Sequence, residues 1–173
     1  MNGKVKILIT GANGYIGNCL YHHLNKKFRV VGIDKEGTSN NKIYKCNILN
    51  TKKLDQILFK EKPELVVHLA AQSLVDETIK KKKYYNNNVI ATNSLLKSMK
   101  KKGINKLIFS STAAVYQQSS KPLKENSKLK PISTYAKTKL VCEKNIHKQK
   151  NIKSVILRFF NVCSALKKPC IGE

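Results

Sequence analysis

KVKILITGANGYIG, residues 4–17, is the stretch on which the fold turns. Within residues 4–10 the run Ile7-Leu8-Ile9 is apolar without a polar break, and it is too short for a helix. That pattern fits a strand buried on both faces. Three glycines follow at fixed spacing, Gly11, Gly14 and Gly17, and Ile16, Leu20 and Leu24 then recur at helical intervals. Strand, glycine turn and helix in that order are what a tight turn needs to bring a helix N-terminus against an anion. The free N–H groups and partial positive charge there suit a pyrophosphate. A GxxGxxG turn is weak evidence alone; its flanking strand and helix raise its weight.

Working outward, residues 29–34 read as a second strand ending in Asp34, which lies 34 − 11 = 23 positions after the first glycine. A carboxylate at that distance meets the adenine ribose of a bound dinucleotide. It favours NAD over NADP, since a 2′-phosphate about 4 Å away would cost on the order of 4 kcal/mol at an effective dielectric near 20. Residues 42–46, 64–70, 106–110 and 154–158 supply four more short apolar strands. Helices are expected over 15–26, 51–60, 87–101 and 133–149, with polar loops over 35–41 and 117–132. Strands alternating with helices, each strand a short apolar run, predict an α/β fold with a doubly wound parallel sheet of Rossmann type in a single domain.

Two segments carry candidate chemistry. Tyr135-Ala136-Lys137-Thr138-Lys139 is YxxxK, which sets the phenol and the ammonium on one helix face. A phenol near pKa 10 is a poor base at neutral pH. An ammonium about 4 Å away would lower that pKa by roughly three units at the same dielectric, bringing Tyr135 into range as a general base. Upstream, Ser110-Ser111-Thr112 ends the fifth strand, on the side where ligands bind in such sheets, so Thr112 is placed to bond a substrate hydroxyl. Either segment alone is commonplace, a lysine-rich helix or a strand cap. The glycine turn before them gives the set its meaning.

Net charge is +24, from 34 basic and 10 acidic residues. Arg29 and Arg158 are the only arginines, and the lysines are scattered rather than gathered on one element. Base-reading surfaces favour arginine, so the excess fits the codon bias of an AT-rich genome better than nucleic-acid binding. Five cysteines with no CxxC pair point to reduced thiols and a cytoplasmic setting rather than a disulfide or metal framework. No run of about 18 apolar residues would cross a membrane.

With these motifs in place, the sequence resembles the extended short-chain dehydrogenase/reductase family, in its UDP-glucose 4-epimerase branch. The matching segments are TGANGYIG, the Asp34 strand end, VVHLAAQSLVDETI, KYYNNNVIATNSLL, KLIFSSTAAVYQ, STYAKTKLVCEK and LRFFNVCSA. The resemblance implies that Gly11, Asn13, Gly14, Tyr15, Ile16 and Gly17 hold the NAD pyrophosphate and Asp34 the adenosine ribose. It implies Asn47 and Ile48 beside the adenine, and Leu69, Ala70 and Ala71 along the dinucleotide. Asn88 would lie beneath it, and Ser110, Tyr135, Lys139 and Phe159 would surround the nicotinamide. Thr112, Tyr135 and Asn161 would meet a UDP-hexose. The implied reaction interconverts UDP-glucose and UDP-galactose through a 4-keto sugar, with Tyr135 as base and Lys139 tuning it.

Departures from the family pattern are Gln117, Phe159, Ala91 and Ser73, none of which removes the catalytic set. Family members continue for about as long again, with a smaller domain that grips the nucleotide sugar. The whole chain, 1–173, therefore reads as the NAD-binding domain, its last residues leading toward that second domain. Full-length members of the family pair as homodimers, a state the sequence leaves open here. Ala113 and Ala114 stand where the 4,6-dehydratases carry an acidic pair, which counts against dehydration. Other UDP-sugar epimerases, a 4-keto reductase and a non-catalytic NAD-binding module remain open.

Overall fold

The computed structural model describes residues 4–36, 43–74, 78 and 80–163. Six parallel strands run β1 (Lys6–Thr10), β2 (Arg29–Asp34), β3 (Ile43–Lys45), β4 (Leu65–His68), β5 (Lys106–Thr112) and β6 (Lys153–Phe159). They lie in the order β3-β2-β1-β4-β5-β6. The chain winds outward from β1 to β3, then crosses back to β4 and winds the other way. The switch point thus falls between β1 and β4, where doubly wound sheets leave a crevice above their carboxyl ends.

Alternation along each strand divides the core. Ile7, Ile9, Val30 and Val67 face forward, under Tyr21, Leu20 and Leu24 of α1 (Tyr15–Leu24). Leu8, Val31, Ile33, Val66, Leu107 and Phe109 face backward. There they meet α2 (Thr51–Glu61), α4 (Ala91–Lys101) and α5 (Thr134–His147) through Leu54, Leu58, Leu95, Met99 and Ile146. Each such fully buried aliphatic side chain contributes about 1.5–3 kcal/mol. Side-chain caps start two helices: Asn50 accepts from Lys53 N, and Ser133 from Ala136 N.

One helix begins earlier than expected. Instead of starting at residue 87, it opens as α3 (Lys81–Tyr84), continues through a π-helical turn (Tyr85–Ile90) and runs on as α4. Residues 81–88 are basic and polar with little apolar period, so the sequence gives no helical signal. Tertiary contacts supply the order: the Tyr84 hydroxyl donates to Leu74 O at 2.6 Å, and α3 packs on α5. The loop expected over 35–41 and the lead toward a second domain lie largely or wholly outside the described residues.

Candidate active site

Close packing, not ligand contact, accounts for two of the three glycines. Gly11 has φ +71°, and a Cβ there would lie 2.8 Å from Ala70 N. A Cβ on Gly17 would sit 1.9 Å from Gly11 O, so the first turn of α1 can rest on the loop only without one. Gly14 is different: it is exposed, with φ −71° and ψ 168°, and a Cβ would meet only Gly11 O at 3.3 Å. The space above Gly14 is open to a ligand approaching the N-terminus of α1. Asp34 closes the other side, accepting from Asn13 N and from Glu36 N, both at 3.0 Å.

Behind the turn lies a buried relay that sequence reasoning missed. His68, at the end of β4, has Nδ1 2.7 Å from Thr10 Oγ1 and Nε2 2.9 Å from Thr92 Oγ1. Thr10 Oγ1 also accepts from Ala70 N. The ring therefore ties β1, β4 and α4 together beneath the crevice. Burial, helped by the nearby Lys139 ammonium, pulls its pKa down to about 3, so it is neutral. A histidine inside the apolar run VVHLAA was the available signal.

Tyr135 and Lys139 share one side of α5 as their spacing requires. Lys139 Nζ is 5.9 Å from the Tyr135 ring centroid and closer, 4.6 Å, to that of Phe109. Burial pulls the lysine down to about 8, against smaller upward pulls from Cys142 and Glu143. Burial also pushes the Tyr135 phenol up. This corrects the expected lowering by Lys139: in the chain by itself the ammonium leans over Phe109, and desolvation governs both groups. Among the described residues Lys139 makes no ion pair.

The remaining candidates fall as follows. Thr112 is half-buried at the end of β5, its Oγ1 accepting from Ala114 N at 3.2 Å. Ser110 is buried and donates to His68 O, which ties β5 to β4. Asn88 accepts from Gln72 N at 2.7 Å and donates to Thr138 Oγ1 at 2.9 Å, so it holds the loop after β4 against α5. Leu69 and Ala70 pack at the end of β4, and Ala71 is half-buried beside them. Tyr15 and Ile16 are half-buried at the start of α1. Asn47 is exposed and caps Leu49 N with its side-chain oxygen. Ile48 belongs to the rear core, which leaves only its backbone to face a ligand. Phe159 pairs in register with Thr112, and Asn161 is exposed just beyond β6.

The model of the NAD dependent epimerase/dehydratase family matches residues 7–170. The chain belongs to that family. It is 38% identical over 182 residues to a UDP-glucose 4-epimerase of Lactobacillus helveticus, covering 98% of this chain and 55% of the relative. The structure of UDP-glucose 4-epimerase from Brucella ovis in complex with NAD superposes with TM-score 0.84 at 30% identity, over 91% of this chain and 52% of that one. The Bifidobacterium longum UDP-glucose 4-epimerase in complex with NAD+ and UDP gives 0.81 at 28%, over 91% and 53%. The chain thus spans about half the length of the curated relatives it matches.

A second feature of this epimerase/dehydratase chain also escaped the sequence reading. Glu143, buried on α5, accepts two bonds from Arg158 of β6, Nε to Oε1 at 3.1 Å and Nη2 to Oε2 at 2.7 Å. Ser111 of β5 donates to the same carboxylate. Arg158 also bonds the Tyr116 hydroxyl and Glu125 O, each at 2.9 Å, and so pins the 117–132 loop. No motif marks this network, because its members come from four separate segments.

Proposed function

We propose that this chain forms the cofactor-binding half of a UDP-glucose 4-epimerase-type enzyme, with NAD across the crevice at the switch point. What supports the reading is that Lys139, on the same helix face as Tyr135, lies close enough to His68 to act on its charge, and His68 bonds Thr10 at the start of the glycine turn that Asp34 closes. The fit to a dinucleotide has physical support: an open approach over Gly14, a helix N-terminus behind it, and a carboxylate at the end of β2. Gly11 to Gly17 would receive the pyrophosphate, and Asp34 the ribose. Asn47 and the Ile48 backbone would meet the adenine. Leu69, Ala70 and Ala71 would line the path, over the loop that Asn88 holds. Ser110, Lys139 and Phe159 would surround the nicotinamide.

NAD would supply reversible acceptance of the sugar C4 hydride. Tyr135 would take and return the 4-hydroxyl proton, and Thr112 would orient that hydroxyl. Lys139, buried and in no ion pair among the described residues, would hold its charge beside the phenolate. Asn161 would reach the substrate diphosphate. A second reading is an NAD-binding module without turnover, favoured by the Lys139 ammonium leaning over Phe109 and by a Tyr135 phenol that burial keeps protonated.

The test is Tyr135→Phe. Any turnover of UDP-galactose should vanish while NAD affinity stays within about two-fold. An ultraviolet titration of the NAD-loaded protein should show one phenol ionising well below the ordinary tyrosine range, absent in the variant. Full turnover by the variant would refute the assignment of the base. NAD binding without turnover in the parent chain would favour the second reading.

A further inference from the structure

β3 ends beside the carboxylate that closes the glycine turn: Lys45 pairs in register with Asp34, and Cys46 N donates to Asp34 O at 2.7 Å. A dinucleotide whose ribose meets Asp34 therefore carries its base toward the segment that follows β3, Asn47-Ile48-Leu49-Asn50. The polar chemistry of that segment is one-sided. Asn47 Oδ1 accepts from Leu49 N at 3.0 Å, and Asn50 Oδ1 accepts from Lys53 N at 3.1 Å. A backbone N–H can only donate, so each amide oxygen is turned inward and each amide nitrogen outward. Both residues are exposed, and neither amide nitrogen has a partner among the described residues. The backbone acceptors are engaged as well: Asn47 O takes Asn50 N, Leu49 O takes Thr51 N, and Asn50 O takes Leu54 N. Only Ile48 O is left, on a residue whose side chain sits in the rear core. The corner thus offers donors.

Adenine presents its C6 amino group, a donor, beside the acceptor N7; a 6-oxopurine presents O6 and N7, two acceptors. A donor set against a donor leaves both unpaired. We infer that Asn47 sets the base preference of the dinucleotide site, favouring a 6-oxopurine dinucleotide over its 6-amino counterpart. NAD still binds, with its amino group turned to solvent, so the preference is several-fold rather than absolute. The inference deepens the proposed function and rests on it. An aspartate at position 47 keeps one oxygen on Leu49 N and offers the other outward as an acceptor, which reverses the preference. Its added charge acts on both dinucleotides alike and cancels in the ratio of their affinities.

Calorimetric titration of NAD and of nicotinamide hypoxanthine dinucleotide into the parent chain and into Asn47→Asp reads that ratio without turnover. The parent should bind the hypoxanthine dinucleotide about three-fold or more tighter than NAD, and Asn47→Asp should bind NAD about three-fold or more tighter than the hypoxanthine dinucleotide. The two proteins should melt at the same temperature; if the variant melts lower, the parent's own ratio decides. A parent that binds NAD as tightly or more tightly, or a ratio unmoved by the substitution, overturns the inference and leaves the proposed function standing. Binding of neither dinucleotide overturns both.

Discussion

Gly17 and Gly14 look alike in the motif and differ in physics. A Cβ at Gly17 would lie 1.9 Å from Gly11 O, backbone that cannot give way without opening the turn. Gly17→Ala should therefore cost about 2–4 kcal/mol in urea unfolding, within the range of serious packing defects; Gly14→Ala should cost under about 0.5 kcal/mol. Lys139 is the opposite case, a residue the isolated chain tolerates at a cost. Its folded pKa of about 8 lies below its unfolded value, so the unfolded state binds more protons between them. Stability should rise with pH from about 8 to about 10.4. At pH 7 the penalty is on the order of 3 kcal/mol, so Lys139→Met should raise the melting temperature, with the gain shrinking near pH 10. His68 has the same direction of shift, with a folded pKa of about 3. Its contribution is intact above about pH 6.5 and is lost as pH falls toward 3, a loss of about 2 kcal/mol by pH 5. A urea-unfolding series from pH 7 to 5 checks this, and His68→Asn should flatten it.

Elements divide into those written locally and those that are not. All six strands were legible because each is a short apolar run between turn residues, and the glycine turn because its spacing is local. The opening of the third helical segment at Lys81 was not, since its order comes from Tyr84 and from packing on α5 rather than from its own pattern. The Tyr135–Lys139 pair was legible as a spacing. The lean of the ammonium toward Phe109 was not, because Phe109 lies on another element. The Glu143–Arg158 pair was invisible for the same reason. It joins α5, β5, β6 and the 117–132 loop through a carboxylate that is 3% exposed at the side chain. Arg158→Met leaves that carboxylate buried and unpaired and should cost about 3–5 kcal/mol. Arg158→Met with Glu143→Met should recover most of the loss in a double-mutant cycle.

For the molecule entire, the described residues of the sheet present two kinds of surface: a crevice above the strand ends and an edge at β6 with exposed Val155 and Leu157. The net charge is +24. At low salt it opposes compactness through self-repulsion. The crevice makes the sharper claim, that a dinucleotide lies over the glycine turn. Calorimetric titration of NAD into the parent chain and into Gly14→Val tests it most directly, because the backbone at Gly14 is one that valine can adopt and its Cβ would meet a single atom, Gly11 O at 3.3 Å. One NAD per chain is expected for the parent, with binding weakened about thirty-fold or more in a variant that melts at the same temperature. A parent chain that takes up no NAD, or a variant that binds it equally well, would contradict the account.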